Sequence, residues 1–381
     1  MAKPRYINRL DQVPQLSTRE QEILKPVARK FAFRTNEYYQ SLIDWDDPND
    51  PIHRIVIPDT FELLPGGELD ASHEDAYTVA PGCQHKYRHT ALLLASDVCG
   101  AYCRFCFRKR LFMDGSDEVL RDVSQGLDYI SSHPEISNVL LTGGDPLIMS
   151  TGKLENIIRQ LRQIDHVKII RIGTKIPAFN PFRILDDPAL LEMLDRYSIK
   201  HYRIYMVVQF NHPRELTPEA VEAMDMVHRT GVVTVNQTPL LRGINDDPIV
   251  LTELFNRLSY IGVPPYYVFQ CRPTAGNSTF STPVELSMDI FDCARHNCSG
   301  LAKRARLTMS HATGKIEILA RDDEFVYFKY HRAHDPRLKG RFFRCRCNPN
   351  AYWLDDYEEA AGLLPADDRE TISLNLGRDC T

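Results

Sequence analysis

The sequence predicts an α/β protein whose repeated strand–helix units form a parallel sheet that closes into a full or partial barrel. From about residue 85 onward, short apolar runs rich in β-branched and aromatic residues alternate with amphipathic segments of helical period. Six strand–helix units can be counted, and polar or glycine-containing motifs follow the predicted strands, as expected at the carboxyl ends of barrel strands. The predicted strands are 91–95, 138–141, 169–172, 205–209, 234–237 and 266–270, and the predicted helices are 119–131, 153–164, 188–197, 218–230 and 249–261.

An N-terminal helical extension is predicted over residues 1–84, ahead of a barrel at 85–314. Ser17 is followed three residues later by Glu20, which is the pattern of a capping box, and Leu24 and Val27 continue at helical spacing. Pro26 either lies within this helix or marks a restart, because a proline inside a helix removes one backbone hydrogen bond.

The C-terminal segment, residues 315–381, is predicted to be rich in β-structure and to contribute to dimerisation. Alternating apolar and polar residues at 316–320 and 324–330 indicate a β-hairpin. Residues 341–345 and 351–354 are candidates for further strands, and we expect the acidic tail from residue 355 to be loosely attached.

The composition disfavours several classes of protein. A hydrophobic fraction of 43% and a charged fraction of 25% are ordinary for a globular protein, and the net charge of −5 argues against a nucleic-acid partner. No apolar run approaches the ~18 residues of a membrane span, and the first residues lack the apolar core of a signal peptide. We therefore expect a cytoplasmic protein with no membrane partner, whose ten cysteines are reduced.

The segment from Cys99 to Arg110 carries the most specific chemical signal. Cys99, Cys103 and Cys106 have the spacing C-x3-C-x2-C and follow the first predicted barrel strand. A disulfide would need a secreted context, and structural zinc normally needs a second cysteine pair, which is missing at the usual distance downstream. An iron–sulfur cluster with every iron bound by protein needs four thiolates. Three thiolates in one loop therefore predict a cluster with one iron open to a ligand.

Two further motifs can hold small molecules. In Gly143-Gly144-Asp145 the glycines permit a close approach of backbone to a ligand and the carboxylate can pair with an ammonium group, although a plain turn has the same composition. Lys315 follows a small, glycine-containing turn, from which an amine can reach a site and condense with an aldehyde. The alternative for Lys315 is an exposed lysine at the start of a strand.

These motifs, together with Leu-Leu-Arg-Gly-Ile-Asn-Asp at 240–246, resemble those of the radical S-adenosylmethionine (SAM) enzymes and, among them, the lysine 2,3-aminomutase family. The resemblance covers about residues 86–347. It implies a partial (β/α)6 radical SAM barrel, a [4Fe-4S] cluster whose open iron binds SAM, and pyridoxal 5′-phosphate (PLP). It also implies an electron donor of the flavodoxin or ferredoxin type, whose electron leads to a 5′-deoxyadenosyl radical, and a homodimer or higher homo-oligomer.

The resemblance also implies which residues bind the cofactors. Residues expected to contact SAM are Gly143, Gly144, Asp145, Gln209 and Gln237. Lys315 is expected to form a Schiff base with PLP, while Lys86, Tyr87 and Arg88 are expected to contact the PLP phosphate or ring. The family has arginines at the positions of Lys86 and Thr90, so the phosphate contact is altered in this chain.

The expected substrate residues depart from those of the lysine-specific members. Arg108 matches the family's arginine for the substrate carboxylate. Those members carry an aspartate where this chain has Arg272, and their second aspartate falls near Met309, Ser310 or His311, none of which is acidic. We therefore expect Arg272, Ser310 and His311 at the substrate site, where a cation disfavours lysine and favours an acidic or neutral polar side chain.

The family's C-terminal zinc site is also incomplete in this sequence. Cys345 and Cys347 remain, while Asn350 and Asp247 stand at the other two ligand positions. Two thiolates make an incomplete structural site, so no structural zinc is expected.

The sequence thus predicts a PLP-dependent radical SAM isomerase, an amino acid 2,3-aminomutase that converts an α-amino acid into a β-amino acid. One alternative is a lysine 2,3-aminomutase proper. Another is a radical enzyme with the same cofactors that deaminates or desaturates an amino acid or acts on a protein lysine. A third is a non-catalytic iron–sulfur electron carrier, which would need neither Lys315 nor the turn at Gly143.

Overall fold

The computed structural model describes residues 4–113, 115–116, 118–119 and 122–358. The N-terminal extension combines short helices with short strands, and its elements are β1 (Tyr6–Ile7), α1 (Thr18–Lys30), β2 (Thr35–Asn36), α2 (Glu37–Gln40), α3 (Pro51–Val56), β3 (Thr78–Ala80) and β4 (Cys83–Tyr87). Ser17 caps α1 by accepting a hydrogen bond from the backbone N–H of Glu20, and the Glu20 carboxylate accepts one from the backbone N–H of Ser17. The predicted capping box is confirmed, and Pro26 lies inside the helix.

The barrel follows as a regular alternation of strands and helices. Its elements are β5 (Thr90–Ser96), α4 (Ser124–Ser131), β6 (Asn138–Gly143), α5 (Thr151–Arg162), β7 (Ile169–Thr174), α6 (Ile176–Phe179), α7 (Phe182–Leu185), α8 (Pro188–Tyr197), β8 (Ile204–Val208), α9 (Pro218–His228), β9 (Val233–Pro239), α10 (Pro248–Tyr260), β10 (Pro265–Phe269), α11 (Val284–His296) and β11 (Arg306–His311). Three antiparallel strands complete the sheet, β12 (Gly314–Arg321), β13 (Phe325–Ala333) and β14 (Phe342–Arg346).

All strands from β3 to β14 form one sheet in sequence order, and β5 to β11 are parallel. The predicted α/β class is confirmed, but the described residues form seven parallel strands where six were predicted. The additional unit is α11 followed by β11. The sequence of β11 is Arg-Leu-Thr-Met-Ser-His, and its polar residues do not give the apolar pattern by which the other strands were predicted. In the folded structure the neighbouring strands bury these residues; Thr308, for example, is fully buried.

Side chains bring the two ends of this sheet together. Lys86 on β4 donates a hydrogen bond to the carbonyl of His311 at 2.9 Å, and Arg332 on β13 donates one to the hydroxyl of Thr90 on β5 at 2.9 Å. The curled sheet is therefore a partial barrel whose gap is bridged by side chains rather than by a strand ladder among the described residues.

The C-terminal segment follows the prediction in part. The hairpin of β12 and β13 and the added strand β14 are confirmed, whereas residues 351–354 form no strand. The boundary expected between residues 314 and 315 falls inside β12, which pairs with β11. Most of the acidic tail, residues 359–381, lies outside the described residues.

Two apolar clusters hold these parts together. The larger fills the space between the sheet and its helices. The smaller joins the N-terminal extension to the cysteine loop, with Tyr39 and Ile55 packed in the same cluster as Phe105 and Phe179. The extension therefore covers the end of the barrel at which the cysteine loop lies. Within the described residues, no helix combines the length and the apolar character needed to cross a membrane.

Candidate active site

A cavity of about 300 Å³ lies at the carboxyl ends of the parallel strands. Predicted site residues on its wall are Cys99, Cys103, Cys106, Arg108, Gly143, Gly144, Asp145, Gln209, Gln237, Arg272 and Ser310. Other wall residues, to which no role was assigned from the sequence, include Thr142, Arg171, Lys175, Phe269 and Cys271. The rule that barrel sites collect at strand ends therefore identified most of this wall.

The N-terminal extension holds the cysteine loop from outside. Arg34 donates a hydrogen bond to the carbonyl of Cys99 at 2.8 Å. Arg104, within the loop, forms a two-point ion pair with Glu62, each contact being 2.8 Å, and both side chains are almost fully buried. A bidentate pair fixes orientation as well as distance, so the backbone that carries the three cysteines is set before any cofactor binds.

The three cysteine side chains are partly buried beside one another. Burial raises the pKa of each thiol, and for Cys99 the nearby Asp145 carboxylate and the other two cysteines raise it further. No group of three or more His, Cys, Asp or Glu side chains in the described ranges forms a site for a single metal ion. A cubane cluster attaches each thiolate to a different iron, so its three sulfurs need not converge on one point.

The glycine turn after β6 packs against the start of the cysteine loop. The N–H of Gly144 donates to the carbonyl of Ser96 at 2.6 Å, and the N–H of Asp145 donates to that of Val98 at 2.8 Å. A Cβ atom on Gly144 would lie 2.4 Å from the Val98 carbonyl oxygen, and Gly143 has a φ of +106°. Glycine is thus required here for a close approach of two backbones, in addition to any approach of a ligand.

Asp145 is engaged by the protein itself. Its carboxylate accepts hydrogen bonds from the Thr174 hydroxyl at 2.9 Å and from backbone N–H groups, those of Lys175 at 2.7 Å and Leu147 at 3.0 Å among them. Burial raises the pKa of Asp145 to about 6, even though these hydrogen bonds favour the ionised form. Asp145 therefore ties the ends of β6 and β7 together at the cavity wall.

A buried ion pair forms part of the site between β7 and β8. Lys175 contacts the Glu215 carboxylate at 2.5 Å and the side-chain oxygen of Asn211 at 2.7 Å. Tyr39 of the extension donates to the same carboxylate at 2.5 Å. Lys175 reaches the cavity wall, so this network links the extension, the barrel and the site. Lys175 follows the strand predicted at 169–172, but no local sequence pattern identifies Glu215 as its partner.

Lys315 on β12 lies over two aromatic rings of β10. Its Nζ is 3.9 Å from the ring centroid of Tyr267 and 4.7 Å from that of Phe269. Burial lowers the pKa of Lys315 well below its ordinary value, and the neighbouring Arg332, Arg171 and Arg272 lower it further. A lowered pKa increases the fraction of Lys315 that is present as the unprotonated, nucleophilic amine.

The arginines around Lys315 share one property: within the described residues, none of them forms a salt bridge with a carboxylate. Arg171 donates to the side-chain oxygen of Asn138 at 2.8 Å, and Arg272 donates to the carbonyl of Ser310 at 3.0 Å. Burial lowers the pKa of Arg272 and of Arg171 to about 10, so both remain charged at neutral pH. Such an excess of buried cations suits an anionic ligand.

A strap, residues 66–77, crosses the mouth of the barrel and contributes side chains to the site. Glu74 accepts from Arg108 at 2.6 Å and from Arg110 at 2.7 Å, and Ser72 accepts from Arg272. Burial alone would raise the pKa of Glu74, but the two arginines hold it at about 2. Arg108 therefore has a direct ion pair with a carboxylate, whereas Arg272 forms no salt bridge among the described residues and feels the Glu74 and Asp70 carboxylates only at longer range. These strap residues were not predicted, because they are far from the motifs in sequence.

The remaining predicted residues lie outside the cavity wall. Lys86 reaches the carbonyl of His311, and burial together with the nearby Arg272 lowers the Lys86 pKa to about 8. Tyr87 lies beneath the guanidinium of Arg332, at 4.6 Å from the ring centroid. Arg88 is exposed at the turn between β4 and β5. The imidazole of His311 contacts Asp355 at 3.1 Å.

The residues at the family's zinc-ligand positions, where no zinc is expected in this chain, have other contacts. The thiol of Cys347 is 3.6 Å from the backbone carbonyl of Asp322, and Cys345 is buried in β14. Asp247 caps α10 by accepting from the N–H of Ile249 at 2.7 Å.

Comparison with known proteins agrees with the resemblance to radical SAM enzymes that the motifs indicate. A family model described as the Radical SAM superfamily matches residues 93–255. The chain is 57% identical over 358 residues to the protein named "Putative L-lysine 2,3-aminomutase" of Aquifex aeolicus (strain VF5), covering 94% of this chain and 96% of that protein. It is 38% identical over 302 residues to the L-lysine 2,3-aminomutase of Clostridium subterminale, covering 77% and 71%. It is 36% identical over 299 residues to the glutamate 2,3-aminomutase of Clostridioides difficile (strain 630), covering 78% and 69%.

Among solved structures, a radical SAM methyltransferase from Sphaerobacter thermophilus matches with a TM-score of 0.41 and 17% identity, covering 60% of this chain and 68% of that one. The fold, the cysteine loop and the matches in sequence define an enzyme of the radical SAM superfamily. Within that superfamily, the chain belongs to the lysine 2,3-aminomutase family, as the motifs predicted. The enzyme is an isomerase of the aminomutase type, and its family uses a [4Fe-4S] cluster, SAM and PLP.

Proposed function

We propose that this enzyme is a SAM- and PLP-dependent amino acid 2,3-aminomutase that prefers an acidic or neutral polar side chain to that of lysine. The observation that carries this proposal is Arg272. Its guanidinium lies on the cavity wall, is stacked 4.3 Å from the ring centroid of Phe107, and has no carboxylate partner in the described part of the chain.

The residues present fit the cofactors of the family. Cys99, Cys103 and Cys106 supply three thiolates from one loop, which leaves one iron of a [4Fe-4S] cluster for another ligand. The same cavity extends to Gly143 and Gln237, where a molecule bound at that iron can be contacted along its length. When bound, the cluster with SAM supplies abstraction of a hydrogen atom, and PLP supplies an aldehyde that condenses with amines.

Lys315 is the residue that we propose condenses with PLP. Its lowered pKa favours the unprotonated amine that this reaction needs, and the rings of Tyr267 and Phe269 cover the amine. We propose that Arg108 orients the α-carboxylate of the substrate. The Glu74 carboxylate and the Thr142 hydroxyl, which lies 2.9 Å from the guanidinium, hold Arg108 in place.

Charge at the far end of the substrate distinguishes the candidates. An ammonium group about 5 Å from the Arg272 guanidinium would be repelled by roughly 3 kcal/mol at an effective dielectric constant of about 20. A carboxylate at the same place would be attracted by a similar amount, less the free energy of removing it from water. The preference for an acidic or neutral polar side chain follows from this difference.

We also propose an electron donor of the flavodoxin or ferredoxin type and a homo-oligomeric state, both on the basis of the family resemblance.

The test is a competition between substrates. The reconstituted enzyme is incubated anaerobically with reductant, SAM, PLP and equimolar glutamate, aspartate, glutamine and lysine, and the β-amino acids formed are quantified by mass spectrometry. We expect β-isomers of the acidic or amide-bearing amino acids to exceed β-lysine. Formation of β-lysine at a comparable or higher rate would contradict the proposed substrate class.

A further inference from the structure

The guanidinium of Arg332 is held in a defined position beside the proposed cofactor lysine. One of its Nη atoms donates to the Thr90 hydroxyl at 2.9 Å, and its face lies 4.6 Å from the ring centroid of Tyr87. In the pairing of β12 with β13, Arg332 is directly opposite Lys315. Directly paired residues project from the same face of a sheet, so both side chains extend toward the same space.

Arg332 forms no salt bridge with an anionic side chain among the described residues, and neither does Arg171, whose guanidinium lies on the cavity wall. The two lie close enough for Arg332 to lower the pKa of Arg171. Two unpaired cations near one another are costly unless an anion bridges them. A phosphate group, with its negative charge spread over several oxygens, is the ligand to which paired guanidinium groups are best suited.

We propose that Arg332, assisted by Arg171, binds the phosphate group of PLP in this enzyme. The inference rests on the proposed function, since it takes Lys315 as the residue that condenses with the aldehyde of the same molecule. A molecule attached at Lys315 has its phosphate within reach of the residue paired with that lysine across the hairpin.

The other cations near the hairpin of β4 and β5 are less suited to this task. Arg88 is exposed at the turn between β4 and β5 and does not line the cavity in the described structure. The ammonium group of Lys86 is engaged by the carbonyl of His311 at 2.9 Å. Thr90 is buried, carries no charge, and accepts the hydrogen bond that positions Arg332. The family has an arginine at the position of Thr90; in this chain the guanidinium next to that position belongs to Arg332 on β13.

The experiment compares PLP with pyridoxal, which has the aldehyde but not the phosphate. Each is titrated into the full-length, cluster-containing protein under anaerobic conditions, and binding is followed by the absorbance of the lysine adduct. Borohydride reduction and peptide mass spectrometry then identify the modified lysine. We expect wild-type protein to bind PLP far more tightly than pyridoxal, with Lys315 as the labelled residue.

In the variant Arg332→Met, affinity for PLP should fall by about 10- to 100-fold, because a charge-assisted contact is lost, while affinity for pyridoxal should be unchanged. Arg332→Lys should retain part of the preference. Arg344→Met is the matched control, since Arg344 is an exposed arginine on the neighbouring strand β14 that contacts the Phe325 ring instead. It should bind both compounds as the wild type does. Inorganic phosphate should compete with PLP in the wild type but not in Arg332→Met.

The outcomes separate this inference from the proposed function. If PLP labels Lys315 and Arg332→Met retains wild-type affinity, the phosphate assignment is wrong and the proposed function stands. If neither compound labels Lys315 in the wild type, both are wrong. An equal loss of affinity for PLP and pyridoxal in Arg332→Met would also overturn the assignment, because it would show a general disturbance of the pocket.

Discussion

Replacing Arg272 with glutamine should change which amino acid the enzyme accepts. The guanidinium is charged, faces the cavity and has no carboxylate partner in the described structure, so an acidic substrate gains a charge-assisted hydrogen bond that Arg272→Gln cannot provide. Such a bond contributes about 1.5–3 kcal/mol, which corresponds to a decrease of roughly 10- to 150-fold in kcat/KM for glutamate. For an uncharged substrate such as glutamine, kcat/KM should change much less.

The assay is the anaerobic initial rate of β-amino acid formation at several concentrations of each substrate. Arg272 also donates hydrogen bonds to Ser310 and to Ser72 of the strap, so a structural effect must be separated from the loss of charge. Ser72→Ala is the control, since it removes the strap contact and keeps the guanidinium. It should affect both substrates equally. An equal decrease for glutamate and glutamine in Arg272→Gln would refute the assignment of Arg272 to the charge of the substrate.

Three further predictions concern other parts of the site. Lys315→Ala should abolish both the absorbance of the PLP adduct and isomerisation, while reductive cleavage of SAM by the cluster continues; loss of SAM cleavage as well would contradict a role confined to PLP. Lys175→Met should lower the free energy of unfolding by about 3–5 kcal/mol, because it leaves the buried carboxylate of Glu215 without its cation, and urea denaturation of this variant beside Lys175→Met/Glu215→Leu should show recovery in the double variant. The Glu74 pKa of about 2 lies below the ordinary value of about 4.3, so its contribution to stability is complete above that value and is lost as pH falls toward 2. The stability difference between wild type and Glu74→Gln should therefore shrink over that pH range, and a constant difference would contradict the assignment.

The local sequence pattern was sufficient to predict those elements whose structure is determined by their own residues. The helix predicted at 188–197 coincides with α8, because its apolar periodicity and the capping by Asp187 are both encoded within a few residues. The cysteine loop, the glycine turn, Gln209 and Gln237 were placed together correctly, since strand order alone brings the carboxyl ends of parallel strands to one side.

Tertiary contacts determine what local pattern could not show. Glu74 and Arg332 reach the site from the strap and from β13, and neither is surrounded by a motif. One signal for Arg332 was present, because the predicted hairpin places residues near 332 opposite Lys315, although a bulge between Lys315 and Ile316 shifts the register. Asp145 illustrates the opposite case: its motif was recognised, but its hydrogen bonds to the neighbouring strand end depend on the folded structure.

We propose that the enzyme moves an amino group from the α- to the β-carbon of an amino acid other than lysine. The most direct measurement uses the preferred amino acid labelled with ¹⁵N at the α-position, incubated anaerobically with the reconstituted enzyme, reductant, SAM and PLP, and followed by ¹³C and ¹⁵N NMR. We predict that the label remains in the product and is bonded to the β-carbon. Release of the label as ammonium, with an unsaturated or keto acid as the carbon product, would contradict the claim and identify an eliminating enzyme.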